Sequence, residues 1–186
     1  MTGTHHLIAG MGAVGCLVAS TLSYHMPSDW KSAIPIAGMA AGAIVGSIFP
    51  DIDTKTSMIS KKMRIISAIL RHMFSHRGFL HSPLFVALIS LLCWWIFHRY
   101  NITDYTLIYV GFVAGLFTHL ICDFCTKGGL PLLYPFSKHK FNVSSMHSGS
   151  KKEPYVLMFV CMCMFGIDLV LILRHIYINQ LLKYLI

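Results

Sequence analysis

The sequence predicts an all-α polytopic membrane protein, with about five transmembrane helices and one amphipathic helix at the membrane interface. Hydrophobic residues make up 55% of the 186 residues and charged residues only 12%, which is about half the charged fraction of an average soluble domain. Five apolar stretches approach the roughly 17–25 residues that a membrane-spanning helix needs. The length favours a single membrane-embedded domain, residues 1–186.

The five predicted spans are separated by polar or basic segments. They run from about Leu7 to Met26, Ala33 to Phe49, Pro83 to His98, Tyr105 to Asp123 and Pro154 to Leu173. The second span is rich in Gly and Ala, a composition that is typical of closely packed membrane helices. The third ends near Trp94 and Trp95, aromatic residues that suit a membrane interface.

Basic residues are concentrated in two of the loops. Eleven of the fifteen Lys and Arg residues lie between Pro50 and His81 or between Asp123 and Glu153. With five spans these loops fall on the same side, and the positive-inside rule makes that side, with the N-terminus, cytoplasmic. The formal net charge of +8 is then explained by topology and by anionic membrane lipids. Nucleic-acid binding is not expected, because the basic loops lack interleaved aromatic residues.

The segment from Lys61 to Met73 has the pattern of an amphipathic helix. Its apolar residues recur at helical spacing, at Ile65, Ile66, Ile69, Leu70 and Met73. Basic residues make up its polar face, namely Lys61, Lys62, Arg64 and Arg71. We predict an interfacial helix that lies on the inner leaflet. An ordinary loop helix packed on the bundle is the alternative.

Two pairs of residues are the first candidates for a metal site. Asp51 and Asp53 follow the second span, and in an extended chain residues two apart point the same way. His119 and Asp123 lie four apart near the end of the fourth span and therefore share one helix face. Imidazole and carboxylate are common metal ligands. The alternatives are a loop-capping role for one aspartate and a packing role for the second pair.

Further candidates lie at the same membrane surface, because the first and third spans start there and the second and fourth end there. His76, Arg77 and His81 directly precede the third span, and Arg binds phosphate or carboxylate in a bidentate manner. The predicted metal ligands are His6, Asp51, Asp53, His76, His81, His119 and Asp123.

Two other motifs are open to more than one interpretation. Glu153, the only Glu, opens the fifth span and is either a further metal ligand or, with Ser150, part of a helix capping box. Cys122 and Cys125 form a CxxC pair around Asp123 and could bind zinc. Inside an apolar helix, however, cysteine usually behaves as a small hydrophobic residue.

Five sequence motifs together resemble a known family. They are Thr4-His5-His6-Leu7, Pro50-Asp51-Ile52-Asp53, His76-Arg77-Gly78-Phe79-Leu80-His81-Ser82, His119-x-x-x-Asp123 with Thr126 and Gly129, and Pro131-Leu132-Leu133-Tyr134-Pro135. In the same order, they resemble the YdjM-like family of LexA-regulated, membrane-bound metal-dependent hydrolases. The H-x-x-x-D motif is also distantly similar to that of zinc-dependent phospholipase C. Leu80 departs from the family, which usually has Thr there.

The resemblance implies a metal-dependent hydrolase in the bacterial inner membrane. The resemblance carries no substrate with it. From the mixed imidazole and carboxylate ligands, Arg77 and the basic loops, we expect two divalent ions, zinc or manganese, and a phosphoester substrate in or near lipid headgroups. Arg77 would neutralise charge in the transition state, and a carboxylate such as Asp53 could act as general base. The alternative is a divalent-cation carrier or a metal-stabilised scaffold, although a carrier should hold its site near the bilayer midplane.

Overall fold

A computed structural model of the chain describes residues 1–24, 30–55, 57–73, 78–102 and 106–185, and it confirms the all-α polytopic membrane fold. Seven α-helices account for most of these residues. They are α1 (Gly3–Tyr24), α2 (Trp30–Ile48), α3 (Met58–Lys62), α4 (Arg64–Met73), α5 (Pro83–Arg99), α6 (Thr106–Phe124) and α7 (Glu153–Leu185). Two 3-10 turns, Phe49–Asp53 and Phe79–His81, follow α2 and precede α5.

The long helices correspond to the predicted spans. Among the described residues, α1, α2, α6 and α7 are long and apolar enough to cross a membrane, while α5 is apolar but has only 17 residues. The helix α7 continues beyond the predicted end at Leu173 to Leu185. The predicted boundaries at Met26 and Tyr105 lie outside the described residues.

Glycine residues let α2 and α6 pack with their backbones in close approach. A side-chain Cβ at Gly46 would collide with the backbone of Phe112, and one at Gly115 would collide with the backbone of Ala43. Small residues allow this approach between membrane helices, where dispersion contacts rather than water exclusion hold helices together. The contact places the end of α2 directly against the last turns of α6, which carry His119 and Asp123.

The predicted amphipathic helix is divided into two pieces. The α3 and α4 helices are separated at Met63, and the apolar face of α4 is exposed, with Ile65 79% exposed. On the opposite face, the buried Ser67 hydroxyl donates a 2.6 Å hydrogen bond to the carbonyl of Ile52. The α4 helix is therefore attached to the turn that carries Asp51. Four of its apolar residues face outward, as an interfacial helix requires, while Leu70 packs against the core; the four are Ile65, Ile66, Ile69 and Met73.

The chain after α2 is not extended, and the prediction that Asp51 and Asp53 point the same way is wrong. Residues Phe49–Asp53 form a 3-10 turn, with Pro50 in its first positions. Proline is well tolerated there because its fixed φ suits a helical turn and the first N–H groups need no partner. In a turn with about three residues per revolution, side chains two apart point in different directions.

Candidate metal centre

Five side chains from separate parts of the chain meet at the end of the helix bundle. His6 comes from α1, Asp51 and His81 from the two 3-10 turns, and His119 and Asp123 from α6. The ligand atoms of His6, Asp51 and His119 lie within 4.8 Å of one another, and so do those of His81, His119 and Asp123. His119 belongs to both groups, so the five side chains form one compact cluster.

His119 is oriented by the main chain of α2. Its Nδ1 lies 2.7 Å from the carbonyl oxygen of Ser47, and because a carbonyl only accepts, Nδ1 carries the proton and donates. The other nitrogen, Nε2, then has its lone pair directed into the cluster. This buried Nε2 makes no hydrogen bond to any residue that the structure describes. Histidine ligands to metals commonly have their second nitrogen fixed by a carbonyl or carboxylate in this way.

His81 lies between three carboxylates. Its Nε2 is 3.7 Å from an oxygen of Asp51 and 3.7 Å from an oxygen of Asp123. Its Nδ1 is 3.6 Å from Asp53 Oδ2 on the other side of the ring. Asp51 and Asp123 therefore share the inner side of the ring with the cluster, whereas Asp53 lies behind it.

His6 completes the cluster from the α1 side. Its ring stacks on that of His119, with the centroids 3.8 Å apart, and its Nε2 lies 3.3 Å from Asp123 Oδ1. The same carboxylate oxygen is 2.5 Å from the N-terminal ammonium of Met1. The carboxylate of Asp123 is thus buried and contacts both an ammonium and an imidazole.

The donor set fits a divalent cation. Three fully buried imidazoles and two carboxylates supply nitrogen and oxygen ligands, the combination that zinc and manganese accept. The buried His119 Nε2 would be costly to leave without a partner in the membrane, and a cation between the rings would satisfy it. Asp51 is the most open of the five, with 16% of its side chain exposed, so the cluster is accessible from its side.

Two of the predicted ligands that the structure describes, Asp53 and Glu153, do not join the cluster. Asp53 is buried behind His81 rather than among the grouped ligand atoms. Glu153 is also buried but is not in either group. His76, like the predicted catalytic residue Arg77, lies outside the described residues.

Glu153 holds the start of the chain against α7. Its Oε1 accepts a 2.6 Å hydrogen bond from the backbone N–H of Thr2, and its Oε2 accepts a 2.5 Å bond from the N–H of Gly149. The Ser150 hydroxyl has no hydrogen-bond partner among the described residues. The capping-box bond from the Glu153 backbone N–H to this hydroxyl is therefore not formed. Glu153 instead fixes the first residues of α1, which carry His6.

The CxxC cysteines lie in an apolar environment. Cys122 is fully buried and Cys125 packs with it in a cluster that includes Met1, Ala9 and Leu157. Burial raises the pKa of the Cys125 thiol, which disfavours the thiolate that binds metal. Neither cysteine belongs to the metal-ligand groups of the described residues.

A buried polar contact between α1 and α7, away from the cluster, was not predicted from the sequence. Asp168 of α7 is largely buried and accepts a hydrogen bond from the Ser20 hydroxyl of α1. The signal was available, since an acidic residue within a predicted span usually faces other helices. The role of the Ser47 carbonyl had no such signal, because any residue offers a backbone oxygen.

The fold and the cluster together define a class, that of polytopic α-helical membrane proteins with a buried His and Asp centre at one end of the bundle. A family model described as YdjM inner membrane protein matches residues 1–181. The chain belongs to this family, as the sequence motifs indicated.

Curated relatives agree with this assignment. The uncharacterized protein YvsG of Bacillus subtilis (strain 168) is 34% identical over 157 residues, covering 84% of this chain and 88% of that protein. The inner membrane protein YdjM of Escherichia coli (strain K12) is 29% identical over 171 residues, covering 89% of this chain and 80% of that protein. The protein of the same name from Shigella flexneri has the same identity and coverage. No solved structure matches the chain.

Proposed function

We propose that this protein is a membrane-bound, metal-dependent hydrolase that acts on a phosphoester in or near lipid headgroups. The observation that carries the proposal is His119, which the Ser47 carbonyl orients so that a buried nitrogen without a hydrogen-bond partner among the described residues points into a cluster of imidazoles and carboxylates. Helix packing alone would not require three histidines to meet at one point.

The roles of the side chains follow from their positions. His6, Asp51, His81, His119 and Asp123 would hold divalent cations. A divalent ion supplies charge that stabilises phosphoryl oxygens and makes a bound water more acidic. Asp53, which the sequence suggested as a base, acts in this proposal through His81 by orienting its ring.

The location of the cluster supports a phosphate-bearing lipid as substrate. The cluster lies at the ends of membrane-spanning helices, beside the loops that hold eleven of the fifteen Lys and Arg residues. Basic residues at that depth concentrate anionic headgroups. Arg77 retains its proposed role as the group that neutralises phosphoryl charge. The positive-inside rule, applied to the basic loops, supports a site on the cytoplasmic side of the inner membrane.

The first test is the metal content of purified protein. We expect the wild type to retain zinc or manganese, and we expect His119→Ala and Asp123→Ala to lose it, because each removes a ligand. His139→Ala is the matched control, since His139 lies on an exposed loop. Elemental analysis also gives the number of ions, which we propose to be two. Full metal occupancy in both ligand variants would show that the pair only supports helix packing.

The second test is turnover. Metal-loaded protein should release phosphate or a headgroup from at least one member of a panel of phosphatidic acid, isoprenoid phosphates and common phospholipids. A chelator should abolish the release, and divalent metal should restore it. An absence of metal-dependent turnover, together with metal-ion transport across liposomes, would replace the hydrolase with the cation carrier.

A further inference from the structure

An apolar groove lies between α5 and α6, close to the metal centre. It is a cavity of about 230 Å³, and the described side chains that line it are all apolar. Val86, Leu120 and Leu130 form its buried floor. Phe117, Ile121 and Leu132 line it with exposed side chains and form its rim, so the groove opens sideways from the bundle.

The groove and the metal centre are built on the same short stretches of chain. Pro83 in the groove follows His81 by two residues, and Leu120 and Phe124 directly follow His119 and Asp123. Because a helix rises about 1.5 Å per residue, each of these α6 neighbours lies at nearly the same depth as its ligand. The groove thus spans the depth at which α6 carries its two metal ligands.

The apolar lining and the neighbouring basic loop indicate what kind of molecule the groove would bind. An all-apolar lining offers no partner for a headgroup, whereas a hydrocarbon chain needs none. The loop that contributes Leu130 and Leu132 also carries Lys127, Lys138 and Lys140, all exposed. An apolar groove beneath a basic loop is complementary to a molecule with a hydrocarbon chain and an anionic head. The groove covers only about two turns of α6, from Phe117 to Phe124, which is short for docking a second transmembrane helix.

We propose that this groove holds a hydrocarbon chain of the lipid-phosphate substrate and thereby places its phosphate at the metal centre. The inference rests on the proposed function and deepens it, because it makes the protein selective for long-chain phosphoesters over water-soluble ones. The groove would bind the chain near its head, and the rest of the chain would remain in the bilayer.

The test uses a phosphatidic acid with a photoreactive diazirine in its acyl chain, added to the full-length protein in membranes. We expect crosslinks to peptides of α5 and α6 that line the groove. Val86→Trp, which fills the floor, and Ile121→Trp, which blocks the rim, should each lower the labelling about tenfold. Leu92→Trp is the matched control, because Leu92 lies on the exposed surface of α5 and should label like the wild type.

Metal content, measured on the same samples, separates the two proposals. Variants that keep their metal have kept their fold, so unchanged labelling in Val86→Trp and Ile121→Trp would overturn the groove assignment. Labelling that maps elsewhere, or crosslinks that join two copies of the chain through this groove, would overturn it as well. A wild-type protein that labels in the groove but binds no metal would instead contradict the hydrolase and leave the lipid site standing.

Discussion

The imidazole of His81 has carboxylates on both sides, and those on the two sides lie near different ring nitrogens. Asp51 and Asp123 face its Nε2, which points into the cluster, while Asp53 faces Nδ1 from behind at 3.6 Å. A carboxylate behind a ligating histidine fixes the ring and increases the basicity of the ligating nitrogen. We therefore propose that Asp53 is a positioning residue, and we expect its effect on the metal affinity to be graded rather than absolute.

Replacing Asp53 by Asn tests this role. The amide keeps the shape of the side chain but loses its charge, so we expect the metal affinity to fall about 10–100-fold with little change in the unfolding temperature of the metal-free protein. Competition with a chromophoric chelator measures the affinity. Complete loss of metal would make Asp53 a direct ligand, and unchanged affinity would remove it from the site.

At the scale of residues, the sequence predicted which residues are candidate ligands better than it predicted where their side chains point. The acidic pair and the His119–Asp123 spacing were visible as candidate ligands, because ionisable groups at a membrane boundary are rare. The direction of each aspartate depended on whether the chain after Pro50 is extended or helical. The sequence alone did not decide this, and the 3-10 turn separates Asp51 from Asp53.

At the scale of elements, the contact between α2 and α6 sets the geometry of the site. It brings the Ser47 carbonyl of α2 to His119 of α6. A Leu at Gly115 would collide with the backbone of α2 at Ala43 and Ser47. The two helices would have to separate, and His119 would lose its orienting carbonyl.

We therefore expect Gly115→Leu to destabilise the protein by about 1–3 kcal/mol or more and to lower its metal content. Unfolding in mixed micelles of increasing SDS fraction measures the stability. Gly166→Leu on α7 is the matched control, since a side chain there meets open space. Equal stability of the two variants would show that the close approach of α2 and α6 is not needed.

The elements themselves were largely predictable, because length and apolar composition define membrane helices. The predicted spans agree with the described helices to within a few residues at most ends, and α7 continues past Leu173 to Leu185. The break at Met63 between α3 and α4 was not predicted, since helical periodicity runs on through it. The Ser67 bond to Ile52 depends on tertiary packing and has no local signal.

At the scale of the whole molecule, the bundle brings distant residues to one point. The starts of α1, α5 and α7 and the ends of α2 and α6 lie at the same end, so residues as far apart as His6 and Asp123 are in contact. This convergence was predictable, because consecutive membrane helices cross in opposite directions and so bring the start of one and the end of the next to the same surface. The exclusion of Glu153 from the cluster was not predictable, because it results from the hydrogen bonds that the backbone of Thr2 and Gly149 donates to its carboxylate.

The central claim is that imidazole and carboxylate ligands hold a divalent ion at this end of the bundle. X-ray absorption spectroscopy of the zinc-loaded protein tests it most directly. We predict a first shell of nitrogen and oxygen only, at about 2.0–2.2 Å, with the outer-shell scattering of imidazole rings. Sulfur at about 2.3 Å would place the metal on Cys122 and Cys125 instead, and a shell without imidazole would contradict the role assigned to His6, His81 and His119.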